Sequence, residues 1–263
     1  MQIEIVNILA NGIYSDTNNI QILFKEGLNL RQIAKIIEDN TNNSVDDVYE
    51  LLDDKEYLNK LIDEYWFLTD AILNEDIYYS LEGYLFPSTY YFGSANVSVK
   101  TIFESMLDET RKQLEEYKDK FNNNDSSIHE ILTMASIVEL EGASLEDRKG
   151  IAGVLYNRLA SNMSLGSDVT TFYGLEINIG DVHADNLDLN ACNNYNTRCA
   201  TFKTLPISPI CNPSLEAIVA TLEYTISNNY YFVADKNRKV YFSKNINEHN
   251  NTIARLKNQG LWY

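Results

Sequence analysis

The segment from Ile131 to Gly142 constrains the fold most, because it joins a broad apolar face to two carboxylates. At about 100° per residue, six apolar residues share one face of a predicted helix: Ile131, Leu132, Met134, Ala135, Ile137 and Val138. Glu139 and Glu141 follow on the two margins of that face, and Gly142 is a typical helix stop. Such a helix must pack against other elements, and its last turn then brings two carboxyls to the edge of the core.

A carboxyl beside an apolar surface keeps its proton to higher pH, because desolvation penalises its ionised form. A group of this kind can act as a general acid near neutral pH, as glycosidase chemistry requires. Glu141 also lies near the negative end of the helix dipole, which favours a raised pKa. The periodicity does not decide between Glu139 and Glu141, and two solvated glutamates at a helix end are the simpler interpretation of this octapeptide alone.

The charge balance excludes several classes of function. The 263 residues carry a formal net charge of −17, which opposes binding to nucleic acid or to an anionic membrane surface. The sequence contains no run of 18 apolar residues, and Gln2 and Glu4 stand where a signal peptide would be basic. Either a soluble cytoplasmic protein or an ectodomain without its anchor fits this pattern.

Cysteine and histidine give little support for a metal or redox site. Cys192, Cys199 and Cys211 fall within one 20-residue stretch without a CxxC motif, and the three histidines are dispersed. One disulfide with one remaining thiol, or three free thiols, both remain open. We therefore expect no cofactor and no metal.

The remaining patterns predict an α+β fold. An arginine, Arg158, falls on the buried face of one predicted helix, where it needs either a carboxylate of the preceding helix or a solvated tip. Helices are predicted over residues 30–37, from Ser44 onward, and over 56–73, 99–121, 131–141, 144–161, 213–227 and 247–258. Strands are predicted over 20–24, as a strand-loop-strand over 81–92, and as a hairpin over 230–242.

Six sequence blocks follow one another in the last two-thirds of the chain. They are Glu82 to Pro87 with Thr89 and Tyr90; Ala135 to Glu141 followed by Arg148 and Asn157 to Leu159; Ser167 to Gly174; Tyr195 to Thr197; Leu205-Pro206 with Asn212-Pro213; and Tyr231 to Ala234 with Glu248 to Asn250. Together, and in this order, they resemble the YceG-like family of endolytic murein transglycosylases.

The resemblance implies cleavage of peptidoglycan glycan strands without water, giving 1,6-anhydro-N-acetylmuramic acid ends and stopping strand elongation. It assigns the catalytic acid to Glu141. The substrate-binding residues expected from the family blocks are Glu82, Tyr84, Glu139, Ser167, Asp168, Thr170, Tyr195, Asn196 and Thr197. It also implies a small LysM-like βαα subdomain with its connecting helix in residues 1–78, followed by a larger mixed α+β catalytic domain in residues 79–263.

The expected partners are peptidoglycan strands and, beyond them, cell-wall synthases. Family members are usually tethered by one N-terminal transmembrane helix, so the resemblance implies the extracytoplasmic face of the cell membrane, through an anchor absent from this sequence. Gly166 and Val169 depart from the Gln and Pro of the family block. A peptidoglycan-binding scaffold that has lost turnover through these changes is therefore the alternative.

Overall fold

The computed structural model describes residues 19–183, 188–189 and 191–262, and the expected first subdomain falls outside this part over residues 1–18. Strand β1 (Ile20–Leu23) is followed by helices α1 (Leu30–Asn40) and α2 (Val45–Asp53). Asn29 and Ser44 cap these helices, each through a reciprocal side-chain and backbone capping box. The predicted strand, turn and two helices are confirmed, including the cap at Ser44.

Strand β1 pairs with β2 (Thr89–Phe92), which lies beyond the expected domain boundary near residue 78. The pairing is antiparallel, with Ile20 opposite Phe92 and Leu23 opposite Thr89. One apolar core extends from Ile22 to Ile218 and includes residues on both sides of that boundary. The division of the chain near residue 78 stays a prediction.

The helix predicted over 56–73 is shorter in the structure. Helix α3 (Lys55–Glu64) ends before Tyr65, and a separate 3-10 turn covers Asp70–Leu73. Tyr65 and Phe67 are both fully buried. In a continuous helix they would point about 200° apart, so the chain leaves the helix to bury both rings.

Two further predictions are corrected by local turns. Residues 81–85 form a turn rather than a strand, because Gly83 has a φ of +87° and a Cβ there would meet the Pro209 ring at 2.3 Å. The helix predicted over 99–121 is interrupted in the structure. Helix α4 (Val99–Leu114) is followed by a 3-10 turn at Glu115–Tyr117 and then by α5 (Lys118–Asn122). Two glutamates at this carboxyl end disfavour continuation of the helix.

The second half of the chain is built around α6 (Ile128–Glu141), which is apolar over most of its circumference. Residues 131–138 are all buried, and α6 packs against α7 (Leu145–Ala160), the short α8 (Asp168–Gly174) and α9 (Leu215–Leu222). Helix α9 is shorter than the helix predicted over 213–227 and begins after its cap, Ser214. This packing fixes the carboxyl end of α6 between the other elements.

The predicted hairpin and last helix are confirmed. Strands β3 (Tyr231–Ala234) and β4 (Val240–Ser243) pair antiparallel, and α10 (Ile246–Asn258) packs against them. Across the described ranges, no helix has the length and apolar character that crossing a bilayer requires.

Candidate active site

A groove of about 650 Å3 opens where the carboxyl end of α6 meets the Glu26–Gly27 turn and the β3–β4 hairpin. Its volume lies within the range typical of ligand sites. Gly27 has a φ of +76°, and a Cβ there would lie 3.2 Å from the Leu140 side chain. The turn therefore passes close to α6. The groove is lined by Glu26, Gly27, Glu139, Leu140, Glu141, Gly142, Ala143, Ala234, Arg238 and Val240.

Glu141 is the last residue of α6, and it is half-buried in this groove. The hydroxyl of Ser167 donates a hydrogen bond of 2.5 Å to its Oε1 atom. Burial raises the pKa of Glu141 above the ordinary value, and the charge of Asp168 acts in the same direction, while Ser167, Arg198 and Arg158 oppose it. The carboxyl therefore keeps its proton to higher pH than a solvated glutamate does.

Ser167 is held in place by two buried threonines, Thr170 and Thr197. The backbone N–H of Ser167 donates to Thr197 Oγ1 at 3.0 Å, and Thr170 Oγ1 donates to the Ser167 carbonyl at 2.7 Å. Gly166 has a φ of +62°, and its N–H donates to the Thr197 carbonyl. Thr170 and Thr197 have no exposed surface. These two residues therefore hold the backbone of Ser167 from the protein interior.

Arg158 does not pair with a carboxylate of the preceding helix, contrary to the first of the two predicted alternatives. Its Nε atom donates to the Tyr230 carbonyl and its Nη1 atom to the Leu165 carbonyl, both at 2.6 Å. The guanidinium lies 5.1 Å from the centre of the Tyr231 ring. Two backbone carbonyls thus satisfy this cation, which anchors the chain two residues before Ser167.

Glu139 is committed to a buried ion pair. Its side chain is 6% exposed, and its Oε1 atom accepts a hydrogen bond of 2.7 Å from Arg148, whose side chain is 8% exposed. Its Oε2 atom accepts from the N–H and the hydroxyl of Ser214, at 2.9 and 2.5 Å. Arg148 also pairs with Glu216. These contacts join the end of α6 to the beginnings of α7 and α9.

Glu82 lies inside the protein, where it is 1% exposed. Its carboxylate accepts hydrogen bonds from the Leu30 N–H at 2.9 Å, the Tyr173 hydroxyl at 3.0 Å and Asn212 Nδ2 at 3.0 Å. Burial raises the pKa of Glu82 to about 7, while the Leu30 and Tyr173 hydrogen bonds and the charge of Arg31 oppose this rise. Glu82 therefore joins the start of α1 to the second half of the chain.

Tyr84, Tyr195 and Asn196 are also buried and have internal partners. The Tyr84 hydroxyl lies 2.7 Å from Nδ1 of His129, and the Tyr195 hydroxyl accepts from the Tyr78 N–H at 3.0 Å. Asn196 Oδ1 accepts from the Thr171 hydroxyl at 2.7 Å. None of these side chains opens to the groove.

The segment that holds Tyr195, Asn196 and Thr197 is closed by a disulfide between Cys192 and Cys199, whose Cα atoms are 5.3 Å apart. Cys211 is a free, buried thiol. Of the two arrangements that the sequence left open, the structure has one disulfide with one remaining thiol.

Asp168 lies at the surface next to Ser167. Its Oδ1 atom accepts a hydrogen bond of 2.5 Å from Nε of Arg198, and both side chains are about two-fifths exposed. Among the predicted site residues, the structure thus brings together the half-buried Glu141, the buried Ser167 that bonds to it, and the partly exposed Asp168. Arg198 and Arg238 were not among the predicted site residues, although the first pairs with Asp168 and the second lines the groove. In the sequence, Arg238 is visible only as part of the predicted hairpin.

The described ranges contain no cluster of three or more histidine, cysteine, aspartate or glutamate side chains that could hold a metal ion.

Known proteins resemble this chain over most of its length. An endolytic murein transglycosylase of Bacillus subtilis strain 168 is 37% identical over 234 residues, which are 88% of this chain and 63% of that protein. The endolytic murein transglycosylase of Streptococcus pneumoniae serotype 2 strain D39 is 32% identical over 249 residues, 90% of this chain and 44% of that protein. This chain therefore spans 44% to 63% of the length of these relatives.

A crystal structure of a YceG-like protein from Listeria monocytogenes has the same fold. It superposes with a TM-score of 0.82 at 35% sequence identity, covering 95% of this chain and 80% of the other. The sequence model of the YceG-like family matches residues 2–255. The chain is therefore a member of the YceG-like family.

Proposed function

We propose that this protein is an endolytic lytic transglycosylase of peptidoglycan, with Glu141 as its single general acid and base. The observation that carries the proposal is the half-buried carboxyl of Glu141, which receives the Ser167 hydrogen bond inside a groove and has a raised pKa. The names of the relatives from Bacillus and Streptococcus support the same substrate class.

In the first step, protonated Glu141 donates its proton to the oxygen between N-acetylmuramic acid and N-acetylglucosamine. The bond from C1 to that oxygen then breaks, and the N-acetylglucosamine side leaves as an alcohol. The 2-acetamido carbonyl of the muramic acid residue stabilises the positive charge that develops at C1. Ser167 keeps the carboxyl aimed at the leaving oxygen, since its own backbone is fixed by Thr170 and Thr197.

In the second step, the ionised Glu141 accepts the proton of the C6 hydroxyl of the same sugar. The C6 oxygen attacks C1 and closes the 1,6-anhydro ring, so no water is consumed. Glu141 ends the cycle protonated again. One carboxyl suffices for both steps, whereas ordinary retaining or inverting hydrolysis uses two carboxyls across the bond.

The other predicted binding residues divide into two roles in this proposal. Asp168, whose side chain is about two-fifths exposed, contacts the glycan or its acetamido group, and the buried Ser167 orients Glu141 through its hydrogen bond. The buried residues support the groove walls from within: Glu82, Tyr84, Glu139, Thr170, Tyr195, Asn196 and Thr197. The β1–α1–α2 unit is the candidate LysM-like glycan-binding subdomain, and we place the protein at the extracytoplasmic face of the membrane, where strands and cell-wall synthases meet.

Hydrolysis with two carboxyls is less well supported. Glu82 is enclosed and hydrogen bonded on both oxygens, and both oxygens of Glu139 are engaged by Arg148 and Ser214. Neither can present a free carboxylate across a bond from Glu141. Digestion of purified sacculi in 18O-labelled water tests the distinction. Transglycosylation gives 1,6-anhydro ends without label, whereas reducing ends that carry 18O would establish hydrolysis and reject the proposal.

The scaffold alternative rests on Gly166 and Val169. Gly166 adopts a left-handed φ, and its N–H donates a hydrogen bond to the Thr197 carbonyl. Val169 is the residue after Asp168 in helix α8. These positions leave the contact between Ser167 and Glu141 in place, which supports turnover. A protein that binds sacculi but releases no product would instead be such a scaffold.

A further inference from the structure

Arg238 occupies a backbone conformation that normally favours glycine. Its φ is +64°, at the tip of the β3–β4 hairpin. For a residue with a long side chain, this left-handed conformation costs on the order of 1 kcal/mol, and such strain is found preferentially at functional sites. The side chain that causes the strain is exposed and lines the groove that contains Glu141.

Hydrogen bonds to Asp235, which is 2% exposed, stabilise the hairpin tip. Its Oδ1 atom accepts hydrogen bonds from the N–H groups of Asn237 at 2.8 Å and Lys239 at 3.0 Å, and its Oδ2 atom accepts from the Tyr241 hydroxyl. The N–H of Arg238 donates to the Asp235 carbonyl at 2.8 Å. The tip therefore holds Arg238 at a fixed place along the groove.

The charges around the groove leave this guanidinium available. Glu139 is neutralised by Arg148, and no carboxylate within residues 19–183, 188–189 or 191–262 forms an ion pair with Arg238. Among the lining residues it is the cation, beside three glutamates. In a chain with a net charge of −17, a groove cation that forms no ion pair with these glutamates is available for an anionic group on the ligand.

We propose that Arg238 binds a carboxylate of the peptide attached to the muramic acid residue, and so makes the groove select glycan strands that carry peptides. The inference rests on the proposed function. The sugar rings themselves are uncharged, whereas the attached peptide supplies carboxylates, which a guanidinium binds through two parallel hydrogen bonds. In this proposal, Arg238 on the groove wall recognises the peptide, and a different residue of the groove, Glu141, breaks the glycosidic bond.

The test compares Arg238→Gly with the wild-type protein on two substrates: glycan strands with intact peptides, and the same strands after carbodiimide coupling of methylamine has converted their carboxylates to neutral amides. Lys236→Ala is the matched control, because Lys236 is an exposed cation in the same turn and does not line the groove. Glycine removes the side chain and suits the left-handed φ, so we expect a melting temperature that is unchanged or higher.

We expect Arg238→Gly to lower kcat/KM on the untreated strands about tenfold, as loss of one charge-assisted contact does, and to change it less than about twofold on the strands with neutralised carboxylates. Arg238→Lys should fall between glycine and wild type, and Lys236→Ala should match wild type on both substrates. An equal effect of Arg238→Gly on both substrates, or no effect on either, would overturn the inference. Absence of cleavage by the wild-type protein on both substrates would instead reject the proposed function.

Discussion

Ser167 and Glu141, which are 26 residues apart in the chain, are joined by a hydrogen bond of 2.5 Å from the serine hydroxyl to Oε1 of the glutamate. The contact connects the end of α6 to the loop before α8. It holds the carboxyl in one orientation and also stabilises its ionised form, which opposes the effect of burial on the pKa. Both consequences can be measured.

Replacing Ser167 by alanine should raise the pKa of Glu141 and reduce the rate. A general acid acts below its pKa, so loss of a hydrogen bond that lowers this pKa shifts the alkaline limb of the kcat/KM profile to higher pH. The rate at the optimum should fall about ten- to a hundredfold, since the carboxyl loses its orientation. Ser164→Ala is the control in the same loop, because the Ser164 hydroxyl donates to the Thr197 carbonyl instead. An alkaline limb that stays in place or moves to lower pH would contradict this role.

Replacing Glu139 by glutamine should destabilise the fold strongly. The change leaves the buried Arg148 without its buried partner, and breaking a buried pair from one side typically costs about 3 kcal/mol or more in the free energy of unfolding. Glu216→Gln removes the other carboxylate of Arg148, whose side chain is 47% exposed, and should cost less than about 1 kcal/mol. Urea denaturation of both variants measures the difference, and equal costs would show that Glu139 is not the structural partner.

Replacing Glu82 by glutamine should flatten the pH dependence of stability. The folded pKa is raised from 4.5 to about 7, so the folded state binds the proton more tightly than the unfolded state does. The resulting stabilisation is complete below about pH 4.5 and is lost as the pH rises through 7, an amount of roughly 3 kcal/mol.

The measurement is the free energy of unfolding of wild type and Glu82→Gln at intervals between pH 4.5 and 8. Glu141 also has a raised pKa, but it is present in both proteins, so the difference between the two curves isolates Glu82. The wild type should lose stability relative to the variant across this range. Parallel curves, or a wild type that gains stability with pH, would refute the assignment.

Much of the local structure was predictable from the sequence, because its signals act over a few residues. The capping residue Ser44 correctly predicted the start of α2, and the apolar face that leads to Glu141 correctly predicted the end of α6. The simultaneous burial of Tyr65 and Phe67, which requires the helix to end before them, was not predictable from such local signals. Their burial depends on a core assembled from distant segments, and α3 therefore ends nine residues before the predicted helix end.

The site was predictable to a similar degree. Periodicity and the glycine stop placed Glu139 and Glu141 at the margins of the core, but only the structure shows that Arg148 binds Glu139 and leaves Glu141 in the groove. The sequence indicated that Arg158 requires a partner, and the backbone carbonyls of Tyr230 and Leu165 are its partners in the structure. Partner choice depends on side-chain direction across helices, which spacing along one helix does not specify.

The most direct measurement of the central claim is the release of 1,6-anhydro-muropeptides from purified sacculi by wild type, Glu141→Gln and Glu146→Gln, followed by mass spectrometry. Glu146 is an exposed glutamate in the first turn of α7, so its variant controls for the loss of one carboxylate nearby. Glu141→Gln should keep its melting temperature and lose about a hundred- to ten-thousandfold in rate, while Glu146→Gln should match wild type. Undiminished anhydro products from Glu141→Gln would contradict the account.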